Sequence, residues 1–171
     1  MATDRLDEAV ARLHYLHTLM SSVDGFLDAQ ICEYLGNPAQ YLVIRAWKDQ
    51  QSHTVGYRQS QAAKEFAASR PEGFIYDNQA VEEWDAVVDT SNGTPGDYVV
   101  RKLDAASSAA GAPGLTSFRS YKRLGAEDTR TLTIERWQSR DAYVAYLQTL
   151  GPGQETGLVE CYAVVDEVRA G

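Results

Sequence analysis

This sequence has few cysteines and no long apolar run. Its 171 residues include two cysteines, Cys32 and Cys161, which stand far apart and in no metal-ligand spacing. We therefore expect reduced, buried thiols rather than a disulfide. No segment approaches the ~20 apolar residues that cross a bilayer, and the N-terminal residues lack the basic flank of a signal peptide. These absences predict a cytoplasmic protein that does not span a membrane.

Positive charge is also in short supply. Asp and Glu total 24 against 16 Lys and Arg, which gives a formal charge of −8 at pH 7. Such a surface repels phosphate groups, so the composition argues against nucleic acid and against an anionic membrane as partners. With 44% hydrophobic residues, the chain can bury a core of its own without metal or disulfides.

Three strand-like patterns occur twice in the same order. Residues 25–36 align with 114–125, Ile44–Trp47 aligns with Ile134–Trp137, and residues 86–89 align with 163–166. The spacing between the matches changes only across loop-like segments. We therefore predict two degenerate copies of one module, residues 1–90 and 97–171, joined by a turn-rich segment at 91–96.

Each copy is predicted to contain helices and strands that alternate along the chain. The first copy has a helix over 4–22, strands at 26–35 and 40–47, a helix capped by Asp49 or Ser52 that ends before Arg70-Pro71, and a strand at 81–90. The second copy has strands at 97–103, 115–124, 130–137 and 158–168, a shortened helix at 104–113, and a helix from Ser139 to Leu150. The first copy lacks a counterpart of strand 97–103, so another chain or segment is expected at that sheet edge unless the strand has simply been lost.

The repeat predicts a cavity in the first copy. The second copy's last helix carries an apolar stripe, and the matching positions of the first copy are Ser52, His53, Gly56, Tyr57 and Ser60. A helix that keeps this orientation turns polar groups and a gap toward its sheet, which is typical of a lined cavity. The alternative is a rotated helix that buries Val55, Ala62 and Phe66 and leaves His53 in solvent.

The first helix and the strands add candidates for the same space. His17 lies in the apolar stripe of the first helix, either as a satisfied core residue or as a group that points into the cavity. His14 and His17 alone do not make a metal site. Strand alternation puts Cys32 and Tyr34 on one face, and Arg45 and Trp47 share a face of the next strand. These side chains suit a flat, oxygenated aromatic ligand, although a partly wet sheet face would also explain them.

Three short motifs form a recognisable pattern: Gly25-Phe26-Leu27, a strand ending in Arg45-Ala46-Trp47 and, most clearly, IERWQSRDAY at 134–143. In these motifs the sequence resembles the antibiotic biosynthesis monooxygenase (ABM) family. The resemblance implies a dimeric α+β barrel of the ferredoxin-like type, with antiparallel sheets covered by helices and formed here by two tandem modules in one chain. Some members are cofactor-independent oxygenases that convert polycyclic phenols or anthrones to quinones.

The resemblance thus implies a cofactor-free monooxygenase of secondary metabolism, with molecular oxygen as co-substrate, no metal, and a small polyketide-like aromatic substrate. A homodimer is left open. In quinone-forming members a tryptophan and a nearby tyrosine or histidine handle binding and protons, a role that falls by position on Trp47 with His53, or on Trp137 with Tyr143. An aromatic polyketide cyclase or isomerase, and a non-catalytic ligand-binding or accessory protein, remain alternatives.

The expected site follows from these considerations. His53 is the candidate base because an imidazole titrates near neutrality. The predicted catalytic residues are His53, Tyr57 and Trp47. The predicted substrate-binding residues are His17, Tyr34, Arg45, Cys32, Trp137 and Tyr143.

Overall fold

The computed structural model describes residues 2–69, 82–104, 108–123, 130–151 and 158–171, with side chains from residue 7 onward. Its elements are α1 (Ala2–Met20), β1 (Phe26–Tyr34), β2 (Tyr41–Trp47), a π-helical segment (Ser52–Tyr57), α2 (Gln61–Ala68), β3 (Trp84–Ser91), β4 (Tyr98–Leu103), β5 (Leu115–Arg123), β6 (Thr131–Trp137), α3 (Arg140–Thr149) and β7 (Leu158–Arg169). The predicted α+β class is confirmed. The predicted helix stop at Arg70-Pro71 lies outside the described residues.

The chain forms two compact units. The first consists of Met1–Cys32, Tyr41–Gln79 and Val165–Gly171, and the second of Glu33–Gln40 and Ala80–Val164. Strands of the first unit lie in the order β2-β1-β7, and those of the second in the order β7-β4-β6-β5-β3. In the second unit the described pairs are antiparallel. Its order β7-β4-β6-β5 is that of a ferredoxin-like module, in which the last strand lies beside the first.

The compact units do not follow the two sequence copies. β3 belongs to the first copy but pairs along its length with β5, so that Trp84 lies opposite Arg123 in the second unit. The end of β7 belongs to the second copy but lies in the first unit, where the Ala170 N–H donates to the Leu27 carbonyl at 2.9 Å. Hydrogen bonding between strands thus groups segments that are distant in sequence. The division into modules 1–90 and 97–171 stays a prediction.

One turn geometry recurs in both copies. The Lys48 N–H donates to the Gly25 carbonyl at 2.7 Å, and the Gln138 N–H donates to the Gly114 carbonyl at 2.8 Å. Both glycines have positive φ angles, +86° and +83°, which favour glycine. A Cβ on Gly25 would lie 2.5 Å from the Ser52 Cβ. Each turn therefore brings the start of a hairpin against the first turn of the following helix.

Two predicted helices differ from the structure. The second helix of the first copy begins as expected, because the Ser52 N–H and hydroxyl both donate to Asp49 Oδ1 at 2.7 Å. It then passes through the π-helical segment and is capped again by Ser60, whose hydroxyl accepts from the Ala63 N–H. The shortened helix predicted at 104–113 is replaced by turns over the described residues 108–114, where Gly111 has a φ of +81°.

Each unit has its own apolar core. In the first, Leu16 and Met20 of α1 pack on Phe26 and Ala29 of β1, and Phe66 of α2 packs against them. In the second, the predicted stripe of α3 covers β4 and β6; this core contains Tyr98, Val100, Ala109, Trp137 and Tyr143. None of the described helices is long and apolar enough to cross a bilayer.

Candidate active site

Three aromatic side chains of the first unit meet at the end of β2. The Trp47 ring lies 5.4 Å from the His53 ring and 5.8 Å from the Tyr57 ring, measured between centroids. The His53 and Tyr57 rings are nearly parallel, at 12° and 6.5 Å. Phe26 meets Trp47 edge-on at 5.3 Å. The structure therefore brings together the three residues predicted to be catalytic.

A similar arrangement surrounds the tryptophan of the second unit. The Trp137 ring lies 5.4 Å from Tyr143 and 5.2 Å from Tyr146. Those two tyrosines are three residues apart on a regular α-helix, so they share one of its faces. The second unit thus provides an internal reference for the first.

The π-helical segment explains how the first unit reaches the same arrangement with a different spacing. His53 and Tyr57 are four residues apart, and the wider π turn between them accommodates the additional residue. Tyr57 therefore occupies the place that Tyr146 has in the second unit. The repeat matches Gly56 with Tyr146, whereas the structure puts Tyr57 beside Trp47 and leaves Gly56 on the neighbouring pocket.

The rotated helix does not form. Val55, which that alternative buries, is 43% exposed, whereas His53 is half-buried against Trp47. Ala62 is buried, but it lies in α2, which the break at Ser60 allows to turn independently of the π-helical segment.

His17 and Arg45 form a buried polar contact in the same unit. His17 is fully buried, and its Nε2 accepts a hydrogen bond from Arg45 Nε at 3.1 Å. Burial, and next the positive charge of Arg45, lower the pKa of His17 to about 4. The imidazole is therefore neutral near pH 7. Because Nε2 accepts, the proton resides on Nδ1, a tautomer assigned from the hydrogen-bond geometry.

Two buried ring N–H groups of this unit have no hydrogen-bond partner among the residues the structure describes. They are His17 Nδ1 and Trp47 Nε1. In the second unit the corresponding indole is satisfied, because Trp137 Nε1 donates to Glu135 Oε2 at 3.1 Å. Arg45 stands at the position that matches Glu135, and a guanidinium cannot accept a hydrogen bond. Among the described residues, the first unit therefore presents two buried donors that no protein acceptor pairs.

His14 completes the polar groups around α1. Its Nδ1 lies 2.9 Å from Asp166 Oδ1, at an exposed position. Asp166 raises the pKa of His17 slightly, against the larger effects of burial and Arg45. No group of three His, Cys, Asp or Glu side chains within the described ranges is arranged to hold a metal ion.

The other predicted binding residues are more dispersed. Cys32 is fully buried in β1 and is not disulfide-bonded. The Tyr34 ring contacts Tyr162 at 5.3 Å in the second unit. Trp137 and Tyr143 are buried in the core of that second unit. The site around Trp47 thus contains His53 and Tyr57 and shares its unit with His17, Arg45 and Cys32.

A pocket of about 560 Å³ opens in the first unit. It is lined by Ser22, Val23, Asp24, Lys48, Asp49, Gln51, Ser52, Val55, Gly56, Ser60, Gln61 and Ala62. Three of the positions predicted to line a cavity, Ser52, Gly56 and Ser60, are in this set. His53 and Tyr57 are not, because they face Trp47 instead.

Sequence reasoning missed a buried ion pair in the second unit. Lys102 Nζ lies 3.0 Å from Glu135 Oε1, and both side chains are fully buried. The ammonium also lies 5.4 Å and 5.7 Å from the Tyr143 and Tyr146 rings. The signal was present in strand alternation, which puts Lys102 on the same face as Tyr98, a core residue.

The part of the chain that contains this site is similar to a known protein family. Residues 2–69 match the family model described as antibiotic biosynthesis monooxygenase. This segment is similar to the ABM family. The match falls on the first copy, although the sequence patterns are more similar in the second. It includes Trp47, His53 and Tyr57. No protein of curated function matches the chain in sequence.

Solved structures share the fold over nearly the whole chain. A Lactobacillus acidophilus NCFM protein, provisionally described as a monooxygenase, is 14% identical with a TM-score of 0.67, covering 100% of this chain and 92% of its own. A similarly described Fusobacterium nucleatum subsp. nucleatum protein is 12% identical with a TM-score of 0.69, covering 97% and 88%. An anthrone oxidase-like protein is 13% identical with a TM-score of 0.55, covering 99% and 88%. The predicted ferredoxin-like α+β fold is confirmed.

Proposed function

We propose that this protein is a cofactor-independent monooxygenase that oxidises a polycyclic phenol or anthrone to a quinone at the Trp47 site. The family match over residues 2–69 supports an oxygenase. The observation that carries the proposal is the pair of buried donors, Trp47 Nε1 and His17 Nδ1, without an acceptor on the described protein. Buried donors are normally paired, and the oxygens of a phenol or anthrone supply acceptors.

The surroundings of these donors suit a flat ligand. An aromatic surface is centred on Trp47: the ring centroids of Phe26 and Tyr57 lie 5.3 Å and 5.8 Å from that of Trp47. Arg45 and Trp47 are two residues apart on one face of β2, about 7 Å along the strand, and His17 contacts Arg45. A flat, fused-ring molecule with several oxygens would supply acceptors for these donors, and its face would rest on the aromatic side chains.

His53 begins the reaction as the base. Its imidazole accepts a benzylic proton from the anthrone, and the resulting anion carries its charge on the carbonyl oxygen. The indole of Trp47 donates a hydrogen bond to that oxygen, the neutral His17 donates to a second oxygen of the substrate, and Arg45 adds positive charge nearby. These groups favour the anion without supplying electrons.

The substrate itself is the reductant. The anion transfers one electron to O2, and the two radicals combine into a peroxide that takes the proton back from His53. Loss of the second benzylic hydrogen as a proton, with cleavage of the O–O bond, leaves a carbonyl and releases water. Anthrone and O2 thus give quinone and water: the CH2 carbon loses four electrons and O2 gains four.

Oxygen uptake with 1,8-dihydroxyanthrone tests the proposal. We expect one O2 consumed per anthrone, faster than autoxidation, with label from 18O2 in the new carbonyl. His53→Ala should lower kcat by about 10²–10⁴-fold, whereas His14→Gln, an exposed histidine of the same unit, should keep it. Undiminished turnover in His53→Ala would remove the proposed base.

The two alternatives have their own signatures in the same assay. Conversion of an aromatic polyketide without oxygen uptake would overturn the oxygenase in favour of a cyclase or isomerase. Tight binding of the anthrone with no conversion under air would overturn it in favour of a ligand-binding protein.

A further inference from the structure

The pocket of the first unit lies beside the aromatic cluster on the π-helical segment. It contains Ser52 and Gly56, which precede His53 and Tyr57 by one residue each. We propose that this pocket binds an organic ammonium group carried on a small polyhydroxylated ring, such as an amino sugar. The binding site is separate from the proposed oxygenase chemistry and does not depend on it.

The serine hydroxyls of the pocket act as acceptors toward a ligand. Ser22 Oγ donates its proton to the Leu19 carbonyl at 2.9 Å, and Ser52 Oγ donates to Asp49 Oδ1 at 2.7 Å. A hydroxyl has one proton and two lone pairs. Once the proton is used within the protein, the oxygen can only accept. Both hydroxyls therefore favour a ligand that donates hydrogen bonds.

Ser60 follows the same pattern. Its hydroxyl donates to the Tyr57 carbonyl at 2.6 Å and also accepts from the Ala63 N–H. It therefore has no proton to offer a ligand. The three serine hydroxyls that line the pocket are thus committed as donors elsewhere.

The charges of the pocket favour a cation. Asp24 and Asp49 provide two carboxylates against the single ammonium of Lys48. Hydrogen bonds from the Ser52 backbone and side chain lower the pKa of Asp49, so this carboxylate stays ionised in mildly acidic solution. Lys48 is exposed and its long side chain can extend into water. An anionic ligand would meet two carboxylates, whereas an ammonium would pair with them.

The volume of the pocket fits a ring rather than a single ion. Its 560 Å³ falls within the range of small-molecule sites. A Cβ on Gly56 would meet only the Gln51 carbonyl oxygen, at 3.9 Å, so the space over Gly56 is open. The glutamine amides of Gln51 and Gln61 supply donors and acceptors for ring hydroxyls.

A matched series of sugars tests the proposal. D-glucosamine, D-glucose and D-glucuronate share one ring and differ in charge, and binding is followed by amide chemical-shift changes in 1H–15N NMR spectra. We expect D-glucosamine to shift Ser52 and Gly56 and to bind at least about tenfold more tightly than D-glucose, with no binding of D-glucuronate. Equal or tighter binding of D-glucuronate, or no binding of D-glucosamine, would overturn the proposal.

Variants locate the effect in the pocket. Asp49→Asn removes a charge but keeps a side chain that caps helices well, and Asp24→Asn removes the other; each should lower D-glucosamine affinity toward that of D-glucose. Gly56→Leu should abolish binding by filling the open space. Glu8→Gln, an exposed charge of α1 outside the pocket, is the control and should bind normally. Unchanged D-glucosamine binding in Gly56→Leu would contradict the proposed location.

Oxygen uptake with 1,8-dihydroxyanthrone separates this proposal from the proposed reaction. That substrate has no amine, so Asp24→Asn should oxidise it at the wild-type rate while D-glucosamine binding falls. Failure of the anthrone assay with D-glucosamine binding intact would overturn the oxygenase alone.

Discussion

Glu135 accepts the indole N–H of Trp137 at 3.1 Å, whereas Arg45 occupies the matching position two residues before Trp47. The exchange of a carboxylate for a guanidinium at this position determines whether the indole N–H has a hydrogen-bond acceptor two residues away. The indole of the second unit is satisfied within the protein and is part of a core. The indole N–H of Trp47 has no acceptor among the described residues and can donate to a ligand, which is why we place the proposed site in the first unit.

Conservative replacement of the two tryptophans should therefore have opposite effects. Trp137→Phe removes a hydrogen bond to a buried carboxylate and should lower the free energy of unfolding by about 1–3 kcal/mol. Trp47→Phe removes no protein hydrogen bond among the described residues and should cost less stability, but it should lower kcat/KM for the anthrone about tenfold or more. Urea unfolding and oxygen uptake measure the two effects. A larger stability loss in Trp47→Phe than in Trp137→Phe would contradict the assignment of a structural role to Trp137 and a binding role to Trp47.

The buried pair Lys102–Glu135 should be intolerant of single changes. Lys102→Met leaves a buried carboxylate without its cation, and we expect a loss of about 3–5 kcal/mol in the free energy of unfolding. Combining it with Glu135→Leu should recover part of that loss, because no charge remains buried. Arg119→Met, which breaks the more exposed pair with Asp89, is the control and should cost less than about 1 kcal/mol. Equal losses of unfolding free energy in Lys102→Met and Arg119→Met would contradict the distinction between the buried and the more exposed ion pair.

His17 should make stability depend on pH in mildly acidic solution. Its pKa is about 4 in the folded protein and about 6.5 in an unfolded chain. Between these values the unfolded state binds more protons, so stability falls as pH falls from 6.5 to 4 and levels off below. The full contribution, present above pH 6.5, is about 3 kcal/mol.

Urea unfolding at several pH values checks this dependence. The comparison is between the wild type and His17→Gln, which cannot titrate in that range. We expect a smaller decline for the variant between pH 6.5 and 4. Parallel curves for the two proteins would show that His17 titrates normally, in conflict with its burial beside Arg45.

Gly25 should be more sensitive than another glycine with a positive φ. Gly25→Ala meets both an unfavourable φ of +86° and the Ser52 side chain. Gly93→Ala meets a φ of +76° but open space, so it should cost about 1–2 kcal/mol. We expect Gly25→Ala to cost about 1 kcal/mol or more beyond this control, because Ser52 must move. Thermal or urea unfolding of the pair measures the difference.

Much of the fold could be predicted from local patterns. β1, β2 and α3 begin and end within one or two residues of the predicted bounds, because apolar periodicity and capping residues such as Ser139 are local signals. The π-helical segment could not be predicted in this way, since one extra residue in a helical turn has no compositional signature. The position of Tyr57 was therefore assigned to Gly56.

The pairing of β3 with β5 also could not be predicted from local sequence patterns. Its composition identified a strand, but nothing local indicates that Trp84–Ser91 hydrogen-bonds to β5 of the other copy. Such contacts join residues far apart in the chain, and their register depends on the whole sheet.

The sequence by itself determined the α+β class, the recurring strand and helix patterns, and the placing of Trp47, His53 and Tyr57 in one neighbourhood. Only the tertiary structure decided which polar groups are satisfied. The Arg45–His17 contact, the Lys102–Glu135 pair and the Trp137–Glu135 hydrogen bond determine which buried groups have partners. Periodicity is a local property of the chain, whereas the partner of a buried donor is set by the segments folded against it, and the proposed chemistry depends on that partner.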